Sequence, residues 1–127
     1  MGTTAKIWPA TDEQVQQCLS APETVDTLFW RAAKQEHSLI HNAQRLKKCL
    51  LELVALHGNL HTIVGAEDPT FVMSPDGVRE MFERRSNRYQ ELLQFGTIAS
   101  NKVDISDVAL LALKENQWLI FCIFEDW

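Results

Sequence analysis

Residues 116–127 read NQWLIFCIFEDW, and the fold turns on what the unbroken apolar run from Trp118 to Phe124 becomes. It is too short for a membrane helix, which needs ~20 such residues. It is rich in Ile, Phe and Trp and lies between turn formers at Asn116-Gln117 and acidic residues at Glu125-Asp126, which fits a strand better than a helix. A strand whose apolar residues do not alternate with polar ones must be covered on both faces. The run therefore predicts a central strand. Thr3 to Trp8, closed by Pro9, gives the other strand signal. The first and last segments are expected to pair in one small sheet with helices packed on it.

Helix starts punctuate the rest of the chain. Thr11-Asp12-Glu13-Gln14 has the form of a capping box, in which Thr11 accepts the N3 amide and Gln14 reaches back, and it opens a helix through about Leu19. Ser20-Ala21-Pro22-Glu23 repeats the device with proline in the first turn, ahead of Val25, Leu28 and Phe29. Leu39, Ala43, Leu46, Leu50 and Leu53 recur at helical spacing, predicting a long helix from about Ser38 to Leu56 that Gly58 stops. Between His61 and Ser74 the periodicity breaks into loop chemistry around IVGAEDP, with FVM as a short strand. Ser74-Pro75 caps a further helix, whose buried face of Val78, Met81, Phe82, Tyr89, Leu92 and Leu93 carries it toward Gly96. A last helix spans about Ser106 to Glu115. The expected fold class is α+β, mostly helical, with about five helices on a small sheet that includes the N-terminal and C-terminal strands.

With 127 residues, and without repeats or linkers, the chain reads as a single domain over 1–127, large enough for one core without disulfides or metals. Its net charge of −5 is uneven, with acidic first and last segments around two basic ones. Nothing in that balance attracts nucleic acid or an anionic membrane, whereas an acidic surface suits a basic protein partner. Cys18, Cys49 and Cys122 sit in apolar contexts without CxxC spacing and read as small buried hydrophobes in a reducing compartment. The opening MGTTAKIWPATDEQ has no apolar core of a secretory signal, and Lys6 stands where a myristoylation pattern wants Ser or Thr. A cytoplasmic protein is expected.

The residues that could carry chemistry do not assemble. His37 and His41 share a helical face at i and i+4, as zinc sites use, but no HExxH or third ligand accompanies them, and His57 and His61 straddle Gly58-Asn59. Arg79, Arg84, Arg85 and Arg88 could meet phosphate, yet Glu80 and Glu83 lie among them, and Glu80 with Arg84 is a favourable i, i+4 pair. No phosphate-cradling glycine loop and no nucleophile elbow is present. Glu67-Asp68 is a carboxylate pair before Pro69, which suits a turn or solvent better than acid–base work. The expectation is a protein that is not an enzyme, with no catalytic residues, no metal and no cofactor. Its four tryptophans are many for its length, and large aromatics are enriched where proteins meet.

Two resemblances bear on function. The opening MGTTAKIWPATDEQVQQCLSAPETVDTLF, the segment SPDGVREMF and the close DVALLALKENQWLIFCIFED resemble the YfbM-like bacterial family of unknown function. The shared pattern is a Met-Gly start, a short strand, a Thr-Asp-Glu helix start, a Pro-Glu helix and a final helix running into a buried strand. That resemblance implies a small α+β fold and brings no catalytic residues. The chain departs from the family in its shorter length and in residues 32–44, AAKQEHSLIHNAQ, which lack the family's Asp-Lys and Trp segment. Residues 92–113, LLQFGTIASNKVDISDVALLAL, are similar to a Leu-Gly-x-Ile-Ala segment and acidic helix start in small immunity proteins that neutralise NAD-degrading toxins of type VI secretion systems. Phe95-Gly96-Thr97-Ile98-Ala99 holds the core of that pattern, and Asn101 to Val103 departs from it.

The sequence thus leads to a bacterial immunity protein that binds a cognate antibacterial toxin and occludes its basic active-site cleft. The expected partner surface is Glu67, Asp68, Asp76, Glu125, Asp126 and Trp127. The competing expectation is a small metabolic enzyme or ligand-binding protein of the YfbM-like type. Self-association as a homodimer stays open.

Overall fold

In the computed structural model the described residues are 2–25, 38–39, 43–56, 58–65, 69–83, 89, 92 and 105–126. They form strand β1 (Gly2–Ala10), helix α1 (Asp12–Ser20), strand β2 (Ser38–Leu39), helix α2 (Ala43–Leu56), strands β3 (Leu60–Thr62) and β4 (Thr70–Met73), helix α3 (Pro75–Phe82), helix α4 (Ile105–Lys114) and strand β5 (Trp118–Asp126). The strands make one sheet in the order β2-β1-β5-β4-β3, and every neighbouring pair is antiparallel. The fold is α+β. Four helices are among the described residues. Of the expected helix after Pro22, Thr24 and Val25 are helical, following a turn in which the Val25 N–H donates to the Pro22 carbonyl at 3.1 Å, and the rest lies outside the described residues.

The apolar run is the centre of the sheet. β5 pairs with β1 from Gly2↔Asp126 to Ala10↔Trp118 and, on its other side, with β4 from Thr70↔Cys122 to Met73↔Leu119. It joins the N-terminal pair β1-β2 to the hairpin β3-β4. Because side chains alternate along a strand, its residues divide between two cores. Leu119, Phe121 and Ile123 join Ala5, Ile7, Phe71 and Met73 on one face, under α2, α3 and α4. Ile120 and Cys122 join Trp8, Ala10 and Val72 on the other, under Val15 and Cys18 of α1 together with Val25 and Ile63.

Local chemistry sets the element ends. Thr11 and Gln14 form the capping box, the Gln14 N–H donating to Thr11 Oγ1 at 3.2 Å and the Thr11 N–H to Gln14 Oε1 at 3.0 Å. Ser74 caps α3, accepting from the Gly77 N–H at 3.3 Å, with Pro75 at the first helical position. After α4 the Asn116 N–H donates to the Leu113 carbonyl at 3.2 Å and the Gln117 N–H to the Ala112 carbonyl at 2.8 Å. This is a Schellman closure, and Asn116 takes its left-handed position at φ 52°. Asparagine tolerates that conformation better than other residues with a Cβ, so Asn116-Gln117 is the hinge that returns α4 into β5.

Several expectations need correction. β1 does not stop before Pro9 but runs through it to Ala10. β2 reaches only Ala5 and Lys6, so among the described residues Pro9 has a strand neighbour on the β5 side alone, and its missing N–H can lie on the other side. The long helix begins at Ala43, not Ser38, because Ser38–Leu39 pairs with β1 instead. A leucine at helical spacing serves equally in a strand, and here sheet pairing wins. The stretch from His61 to Ser74 is a hairpin closed by the Ile63 N–H on the Thr70 carbonyl at 2.9 Å, with Gly65 at φ 95° in its loop. Lastly, α3 does not continue to Leu93. It ends at Phe82, where Glu83 turns extended at ψ 142°, although Tyr89 and Leu92 are buried in the same core as Val78 and Met81. REMFERR contains no Gly or Pro, so the sequence carries no breaker that would foretell this end.

Candidate interaction surface

Glu125 and Asp126 are the last two residues of β5, paired with Thr3 and Gly2 of β1. Next to them on the other side, the Ile123 N–H donates to the Pro69 carbonyl at 2.9 Å. Pro69 directly follows Glu67-Asp68 in the sequence; those two residues and Trp127 lie outside the described residues. Asp76 is elsewhere. Met73, three residues before it, pairs with Leu119 at the start of β5, and Leu119 to Glu125 spans about 20 Å of strand. The acidic residues therefore do not all share one end of the sheet.

Asp76 has structural work of its own. It sits in the first turn of α3, where a carboxylate meets the positive end of the helix. It is also ion-paired with Arg79, and both side chains are exposed. The Arg79 guanidinium donates in addition to Asn116 Oδ1 at 2.9 Å, which ties α3 to the turn before β5. Arg79 is thus held by an acid and an amide. Arg84, Arg85 and Arg88, like His37, His41 and His57, lie outside the described residues, and His61 is exposed on β3. Among the described residues no group of three or more His, Cys, Asp or Glu is placed to hold a metal ion.

One polar assembly escapes the sequence reading. Asn59, just before β3, receives the Ser74 N–H on its backbone carbonyl at 2.8 Å and the Ser74 hydroxyl on Oδ1 at 3.2 Å. Its amide donates to Glu80 Oε1 at 3.1 Å. Gly77 makes room for it: a Cβ there would stand 3.0 Å from Asn59 Cβ and 2.6 Å from Met73 Cγ. The buried Tyr89 phenol adjoins this group. Burial first, and then the Glu80 charge, push it up to about 12 against a hydrogen bond with the Asn59 backbone. A phenol held protonated that far above neutrality is no base at physiological pH. Ser74-Pro75-Asp76-Gly77 foretells the cap, but the partner Asn59 becomes visible only when β3 pairs with β4.

The thiols behave as hydrophobes. Cys18 and Cys122 are buried in the core under α1, and burial raises the Cys18 thiol against an opposing hydrogen bond with Thr24. Cys122 contacts Thr70, the one buried polar side chain among the described residues, at 3.4 Å from sulfur to oxygen. No helix of the described residues is long and apolar enough to cross a membrane. The chain matches no protein-family model, no curated protein and no solved structure.

Proposed function

We propose that this protein acts by binding, as the immunity partner of an antibacterial toxin, and that it occludes a basic cleft on that toxin. The observation that carries this reading is an acidic pair, Glu125-Asp126, ending a strand anchored on both sides by β1 and by the Pro69 end of β4. A backbone already paired in the sheet has little freedom left to lose on binding, and charge complementarity speeds encounter and selects the partner. Glu67 and Asp68, adjoining Pro69 in sequence, extend that acidic end in the proposal, with Trp127 as an aromatic anchor beside it. Asp76 is a second, separate contact. The similarity of residues 92–113 to immunity proteins points the same way.

The test is co-expression with the protein encoded by the neighbouring reading frame. The chain should restore growth, and reversing Glu67, Asp68, Glu125 and Asp126 together with deletion of Trp127 should abolish the rescue. Undiminished rescue by that variant would remove the surface, and absence of any toxicity to rescue would remove the function. A thermal midpoint raised by a nucleotide or a divalent metal alone would instead support the ligand-binding alternative, since such a ligand stabilises by mass action.

A further inference from the structure

Of the exposed large apolar side chains, Leu19, Leu51, Leu56 and Val64 stand apart in the sequence, as surface hydrophobes commonly do. Leu110 and Leu111 of α4 are different. They are adjacent, 41% and 48% exposed, and they have a charged residue three positions to either side, Asp107 before them and Lys114 after. At 3.6 residues per turn these four side chains fall within about 100° of arc. That arc lies opposite the face of Ile105, Val108, Ala109 and Ala112 that α4 buries on the sheet. An acid in the first turn and a base in the last suit an isolated helix through its dipole. Two half-exposed leucines between them do not, because they add apolar surface to water.

The stripe is its own complement. A two-fold axis perpendicular to α4, at the height midway between Leu110 and Leu111, brings the second copy's Asp107 to the height of Lys114 and its leucine pair to the height of Leu110 and Leu111. Two copies of α4 laid antiparallel on that axis would place each Asp107 against the partner's Lys114, with four leucines between the two ion pairs. A parallel arrangement would instead oppose Asp107 to Asp107 and Lys114 to Lys114. We propose that the outer face of α4, Asp107-Leu110-Leu111-Lys114, is a self-complementary surface through which a second copy of this chain docks antiparallel about a two-fold axis. An isologous contact of this kind closes as a dimer and does not propagate. Asp107 can serve it while keeping contacts within its own chain, since a carboxylate accepts several hydrogen bonds. One short stripe from each chain makes a small contact, so a weak, concentration-dependent dimer is expected.

Sedimentation of the full chain across a concentration series tests this, with circular dichroism confirming that each variant keeps its helix content. The wild-type average mass should rise with concentration toward two chains. Asp107→Lys and Lys114→Asp should each weaken self-association at least tenfold, because each variant opposes like charges. An equimolar mixture of the two should associate at least as well as the wild type, since both ion pairs are restored between unlike chains. Leu111→Glu should be monomeric throughout. A wild type that stays monomeric, single variants that dimerise unchanged, or a mixture that does not associate would each overturn the proposal, and a monomeric wild type would leave the surface to a different partner.

Discussion

The two faces of the sheet are filled differently. Under α2, α3 and α4, the described buried residues of the core are hydrocarbon apart from Met73, Met81 and Tyr89, and Phe71 lies directly beside Phe121 across the β4–β5 ladder. Under α1, the smaller core includes Cys18, Cys122 and the indole of Trp8, with Thr70 set against Cys122. One strand supplies both cores by alternation, so from Leu119 to Ile123 β5 has no solvent face. The lesson is that a polar group can be buried where the layer above is thin and has a partner for it, whereas the thicker layer holds its polar atoms at its margin, around Asn59 and Glu80.

Substitutions at adjacent β5 positions sharpen that contrast. Phe121→Ala should destabilise by about 4 kcal/mol in denaturant unfolding, because it opens a cavity beneath three helices, and Ile120→Ala by about 3 kcal/mol on the other face. Equal or reversed costs would erase the distinction between the two cores. Gly77→Ala tests the crowded margin of the first face. Helix preference favours alanine by about 1 kcal/mol, but overpacking against Met73 and Asn59 costs about 1–3 kcal/mol, so a net loss of about 1 kcal/mol is expected. A stabilised Gly77→Ala would show that the close approach is not constrained.

Thr11→Ala probes the cover of the second face. It removes the Thr11 half of the capping box of α1 and should cost about 1 kcal/mol. Because Trp118 Nε1 donates to Asp12 at 3.0 Å, indole fluorescence should respond if α1 loosens. The smallest effect near neutral pH is that of Tyr89, the only tyrosine in the chain, so its phenolate absorbance is free of overlap. In the folded protein it should ionise near pH 12, whereas in the unfolded chain it ionises near its ordinary value of about 10. Between those values the unfolded chain loses a proton that the folded chain keeps. Stability is therefore fully present below pH ~10 and falls as pH rises toward 12. Tyr89→Phe should flatten that fall; titration near the ordinary value would place the phenol in solvent.

Local signals told most where the chemistry is short-range. The capping box at Thr11, the Ser74-Pro75 start, the Asn116-Gln117 turn and the apolar run of β5 each rest on neighbours in sequence, and the described structure has all four. The run was also enough to place β5 inside the sheet beside β1. The proposed interaction surface was less legible. Its residues are acidic in any arrangement, and only the strand register separates Asp76 from Glu125-Asp126.

What the sequence by itself determined is the set of elements whose ends carry caps and whose burial follows from composition: α1, α4, β5 and the start of α3. What only the tertiary structure decided is where competing local preferences were settled. Ser38–Leu39 is strand because β1 offers it backbone partners, α3 ends at Phe82 without a breaker, and Asn59 finds Ser74 only through the hairpin. Even the outer stripe of α4 belongs to this second class. Its spacing is written in the sequence, but which side of the helix faces the sheet, and so which side is left to meet another molecule, depends on packing against residues far along the chain.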